Sequence, residues 1–150
     1  MKSRIVLALI SLLPLLFGFI TNHLATTVWF YTFPSGWYWF MGIFFLLLWF
    51  VAGWASAKWV NSSKEALIYL NAVAGLVLIL ILYQEFIMGR YWWGWLGAST
   101  QFYYMTLAHI PNRLFRIIPV ATIRFSYICI VAFCIQLLAS FLGRKIGERS

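Results

Sequence analysis

Apolar positions occupy 5–20, 37–59, 66–88 and 120–142 as long, nearly unbroken runs, separated by short polar breaks. Runs of this kind do not alternate like half-buried strands and carry no solvent face; they read as helices surrounded by lipid. At 1.5 Å per residue the run 37–59 covers roughly 33 Å, enough to cross a hydrocarbon core of about 30 Å. The pattern therefore predicts an all-α integral membrane protein: one bundle of four transmembrane helices, at about 5–26, 37–59, 66–88 and 120–142. The first begins behind a basic head, Lys2 and Arg4, which resembles a signal peptide, but no small-x-small cleavage site follows. Because Leu24 to Phe33 continues apolar and aromatic, the run is expected to stay as an uncleaved helix, kinked at Pro14. Pro34, Ser35 and Gly36 signal a turn before the second helix, and Lys58 to Glu65 a short polar loop before the third.

The third loop has a different rhythm. Ser99, Thr106, His109, Arg113 and Arg116 recur at helical spacing, while Tyr103, Leu107, Ile110, Leu114 and Ile118 take the opposite side. Such a stripe predicts an amphipathic helix lying in the membrane interface, kinked or divided at Pro111.

Composition supports lipid as the surrounding medium. Hydrophobic residues make up 64% of the 150-residue chain and charged ones only 9%, too little charge to coat a soluble domain of this size. The net charge of +8 would suit nucleic acid, but the basic residues flank the apolar runs and form no single patch, so nucleic acid is excluded as a partner and anionic lipid favoured. An inside N-terminus leaves Lys2, Arg4, Lys58, Lys64, Arg144, Lys145 and Arg149 in the cytoplasm, against Arg90, Arg113 and Arg116 outside. By the positive-inside rule both termini are cytoplasmic, in a cell membrane of bacterial type. Cys129 and Cys134, five residues apart, diverge by about 140° on a helix and cannot bridge each other. No metal-ligand spacing or cofactor motif is present, so no metal or cofactor is expected.

Two groups of residues could carry chemistry. His109, Arg113 and Arg116 form a candidate site for an anion such as a lipid headgroup, with unselective contact to bulk lipid phosphate as the plainer reading. Glu85 and Arg124 are ionisable groups at matching depth near the ends of their spans. They are expected to pair, because a lone charge there would cost about 2.5–3.5 kcal/mol on insertion scales. The same depth argument brings Asn71 level with Gln136. Arg124 and Gln136, however, lie about 120° apart around their helix, so the third span should not reach both, and Gln136 is expected to turn toward Ser11. Small residues four apart, Gly53 with Ala57 and Ala139 with Gly143 among them, favour close helix packing.

These features point to a non-catalytic multi-pass protein, a subunit or regulator of a membrane complex, contacting anionic lipid through its outer loop. Its partners would be lipids together with a membrane protein or further copies of itself. A small transporter with Glu85, Arg124, Asn71 and Gln136 along its path is the first alternative. A lipid-phosphate enzyme using His109 or Glu85 as base is the second.

Overall fold

A computed structural model describes residues 2–23, 35–92, 94–117 and 124–150, and every regular element among them is helical. In chain order these are α1 (Lys2–Ile10), α2 (Leu13–His23), α3 (Ser35–Trp59), α4 (Ser63–Leu82), α5 (Trp95–Ile117) and α6 (Phe125–Gly147), with a π-helical turn, Tyr83–Ile87, continuing α4. Four stretches are long and apolar enough to cross a membrane: Ser3–His23, Trp39–Trp59, Ser63–Ile87 and Phe125–Gly147.

Local chemistry accounts for the boundaries. Pro14 lacks an N–H, and its ring crowds the carbonyl four residues back. The first span accordingly breaks at Ser11–Leu12, where the Leu12 and Leu15 amides bond only three residues back, to Leu9 and Leu12 (3.1 and 3.0 Å). The expected end of this helix near residue 26 lies outside the described residues, as does most of the turn before α3; Ser35 and Gly36 already belong to that helix. Ser62 caps α4, accepting the Glu65 amide at 3.4 Å, so α4 starts three residues earlier than its apolar run. α6 is shifted further, from 120–142 to Phe125–Gly147. Hydropathy marks the apolar part of a helix and not its ends, and here the last turn carries Arg144 and Lys145, which suit a helix C-terminus.

Two ends of the bundle can be distinguished. At the termini end, the start of α1, the end of α3, the start of α4 and the end of α6 come together: Arg4 forms a two-pronged ion pair with Glu65 (2.9 Å), and Ser63 donates to Glu148. Down the middle, α6 packs on α3 through glycines. A Cβ on Gly53 would overlap the Ser140 carbonyl, and one on Gly143 the Phe50 carbonyl. Gly147 meets Trp54 and Ala57 in the same way. The expectation of close packing at Gly53 and Gly143 is thus realised inside the bundle, backbone against backbone.

At the other end lies α5. It runs unbroken through Pro111, so the proline does not divide it. It packs against α2, α3, α4 and α6. Gly18 of α2 lies directly against the Phe102 backbone, and Gly42 of α3 faces Thr106 and Ile110. Tyr103 and Leu107 of the apolar side are buried, but so are Tyr104, which belongs to neither set, and Thr106 of the polar stripe. A helix resting on the bundle's rim would not touch four other helices and bury Thr106. This one is wedged between the long helices.

Candidate functional site

The polar side chains of the long helices converge near their middles. Asn71, 5% exposed on α4, is the hub. Its Oδ1 accepts the Trp49 indole N–H from α3 (3.0 Å) and an amide hydrogen of Gln136 from α6 (3.4 Å). Its Nδ2 donates to the Leu67 carbonyl (3.0 Å) and to Ser140 Oγ (3.1 Å). Gln136 Nε2 also donates to the Tyr103 hydroxyl of α5 (3.3 Å), which in turn donates to the Ser11 carbonyl (3.2 Å) at the break between α1 and α2. Tyr104 sends its hydroxyl to the Ala74 carbonyl (2.7 Å). Every one of these side chains is buried. Among the described residues only Gln136 Oε1 of this group has no hydrogen-bond partner.

The span formed by α4 and its π-helical turn reaches both Arg124, through Glu85, and Gln136, through Asn71, against the expectation that it could reach only one. A separation of 120° holds only if both residues sit on α6. Arg124 instead precedes the helix as its N-cap in extended backbone (φ −78°, ψ 147°), so helical phase does not govern where it points. Gln136 does not bond Ser11 directly; Tyr103 stands between them.

Glu85 lies in the π-helical turn, which adds a residue to the local ladder and turns the side chain toward α6. Its closest partners are the Tyr91 hydroxyl (2.6 Å) and the Ser126 backbone N–H (3.0 Å); the Arg124 Nε is 4.0 Å away. Arg124 is 53% exposed and also lies over the Phe86 ring, whereas Glu85 is 13% exposed. The carboxylate thus acts first as a cap on the α6 N-terminus, where an orphan amide and the helix dipole both favour negative charge. Burial, reinforced by the bond to Glu85, raises the Tyr91 phenol well above its usual range and keeps it a donor. Gln84, next in the turn, is fully buried, accepting from the Trp92 amide (3.0 Å) and donating to Thr100 (3.4 Å).

The proposed anion residues are arranged differently. His109 is edge-on to Trp39 (5.5 Å between ring centres) and borders a cleft of about 290 Å³ with Met105, Ala108, Asn112, Phe125 and Ile128. Arg113 is exposed and is not among the residues lining that cleft. The Arg116 side chain lies outside the described part of the structure.

One buried charge was not expected. Arg144, assigned by its sequence position to a cytoplasmic tail, lies inside α6 and is 2% exposed. Its guanidinium donates to the Ser56 (2.5 Å) and Asn61 (3.1 Å) carbonyls and to Glu148 (2.8 Å), tying α6 to the last turn of α3 and to the connection that follows it; the Ser56 carbonyl also accepts the Val60 amide (3.0 Å). Hydrogen bonds from Ser63, Arg144 and Lys145 lower the Glu148 carboxyl to about 2. Cys129 is buried and Cys134 exposed, both free. Among the described residues no three His, Cys, Asp or Glu side chains gather as metal ligands.

No protein-family model matches the chain, and neither curated proteins nor solved structures give a match.

Proposed function

We propose that the chain is a four-span integral membrane protein acting as a non-catalytic subunit or regulator of a membrane complex. The observation that carries this reading is the use made of Asn71, Gln136, Tyr103 and Trp49, which bond to one another across α3, α4, α5 and α6. Polar groups engaged in this way hold helices together, and in an apolar medium each unpaired one would be costly. What the chain then offers to its surroundings is an apolar exterior, with Ile5, Phe40, Leu47, Ile68, Ile79 and Leu138 exposed along the helices. Its partners are lipids and the spans of another membrane protein or of further copies. Contact with anionic headgroups through His109, Arg113 and Arg116 belongs to the same reading.

The basic bias supports a termini end in the cytoplasm of a bacterial-type cell membrane. With the observed helix boundaries seven Lys and Arg fall at that end, Lys2, Arg4, Lys58, Lys64, Arg144, Lys145 and Arg149, against Arg90, Arg113, Arg116 and Arg124 at the other. Purification in mild detergent followed by mass spectrometry tests the function: a stoichiometric protein partner is expected. A chain that purifies alone and gives substrate-dependent flux in liposomes contradicts it, favouring a transporter in which the unpartnered Gln136 Oε1 is a binding group.

A further inference from the structure

Gly75 faces open space and not a neighbouring helix. Gly18, Gly42, Gly53, Gly143 and Gly147 each face a close neighbour on another helix, whereas a Cβ on Gly75 would meet nothing within 4 Å. A glycine in the middle of a helix costs roughly 1 kcal/mol relative to alanine, and here no internal contact compensates. Gly75 opens instead onto a groove of about 520 Å³ along the α4–α6 flank. The α4 wall runs through Leu67, Ile68, Ala72, Leu76 and Ile79, while Phe133 and Leu137 of α6 face it. From Leu67 to Ile79 the groove is about 18 Å long, close to the roughly 15 Å of a single leaflet's hydrocarbon.

Lys64 stands at the termini end of this groove. It is three and four residues before Leu67 and Ile68, hence on the same helical face, and a helical side chain leans toward the N-terminus, here toward the end of the bundle. Both acids at this end are already engaged, Glu65 with Arg4, and Glu148 with Arg144 and Lys145. Lys58 lies over the Trp54 ring. Lys64 is exposed and has no acidic or aromatic partner among the described residues.

We propose that this groove holds one acyl chain of an anionic glycerophospholipid, with its phosphate met by Lys64. A second copy of the chain is the poorer occupant: inserted in the same orientation, it would bring its own basic termini end beside the first, with no free acid to meet it. The proposal rests on the membrane reading above but not on a protein partner, so failure to find such a partner leaves it standing.

The test is native mass spectrometry of the chain purified in a non-ionic detergent and titrated with phosphatidylglycerol or phosphatidylcholine. One phosphatidylglycerol should bind per chain in preference to phosphatidylcholine. Gly75→Leu fills the groove with a side chain and should weaken both lipids by about tenfold or more, the loss of roughly two buried methylenes. Its melting temperature should be no lower than that of the wild type, which separates loss of the site from loss of the fold. Lys64→Gln should weaken phosphatidylglycerol alone, by about fivefold. Three results overturn the proposal: equal lipid binding by wild type and Gly75→Leu, a headgroup preference that survives Lys64→Gln, or a dimer that Gly75→Leu dissociates without changing the lipid count.

Discussion

The two seams of α6 are built on different principles. Against α3 it uses chiefly backbone, with Arg144 bonding the Ser56 carbonyl at one end: Gly53, Gly143 and Gly147 bring main chains together so closely that a methyl group has no room. Against α4 it uses polar struts at three heights: Glu85 to the Ser126 amide, Asn71 to Ser140 and Gln136, and Ser63 to Glu148. Close packing without side chains leaves no gap, and dispersion between many atoms holds it. Struts set a distance and leave room between them, and the groove beside Gly75 occupies that room. One helix is thereby fixed rigidly on one side and presents a fillable surface on the other.

Substitution in the glycine seam should show the largest effect. Gly143→Leu drives a side chain into the Phe50 carbonyl, and because backbone cannot yield as a side chain does, a loss of about 3 kcal/mol or more is expected from thermal unfolding in detergent. A tolerated leucine would mean that α3 and α6 do not approach as described. On the strut side, Glu85→Gln removes the negative charge at the α6 N-terminus and one of the two acceptor oxygens, and should cost about 1–2 kcal/mol. Arg124→Gln breaks only a long, half-exposed ion pair and should cost less than about 1 kcal/mol. Equal losses from the two variants would restore the ion pair as the main role of Glu85.

The strut at the termini end can be weakened by acid. Glu148 has its carboxyl lowered from 4.5 to about 2 in the folded chain, so its contribution is complete above about pH 4.5 and is lost as pH falls toward 2. Melting temperature should therefore fall across that window, and Glu148→Gln should remove part of the fall. Glu148 is exposed, so high salt should reduce the effect. The smallest change expected is a gain: Gly75→Ala should stabilise the chain by about 0.5–1 kcal/mol, since the groove leaves room for the methyl group. A loss there would mean that Gly75 is packed after all.

Much of this arrangement is legible in the sequence, and the illegible parts have a common cause. The four long helices follow from apolar runs, and matched depth brings Glu85 level with Arg124 and Asn71 level with Gln136, although helical phase, taken as if Arg124 lay on the same helix as Gln136, counts against the second contact. Periodicity reports which residues share a face but not how deep a helix sits. The stripe through Thr106 therefore resembles a surface helix, although α5 is wedged far enough inward for Tyr103 and Tyr104 to reach carbonyls of α1–α2 and α4. Arg144 reads as part of a tail because hydropathy falls away before it, while its burial depends on carbonyls at the end of α3, remote in sequence. Gln84 is obscured by its neighbour Glu85, and the π-helical turn that separates their directions leaves no mark in the residue pattern. Trp49 looks like one more aromatic residue until Asn71 is found at its indole N–H.

The most direct test of the central idea, that buried polar side chains hold these helices to one another, is a double-mutant cycle on Tyr103 and Gln136, which meet at 3.3 Å from α5 and α6. Tyr103→Phe, Gln136→Leu and the double variant would be compared by thermal unfolding in one detergent. If the bond joins the helices, each single change destabilises and the double change loses less than their sum, by about 0.6 kcal/mol and at most about 1.7 kcal/mol. Strictly additive losses, or an unchanged melting temperature in every variant, would contradict it.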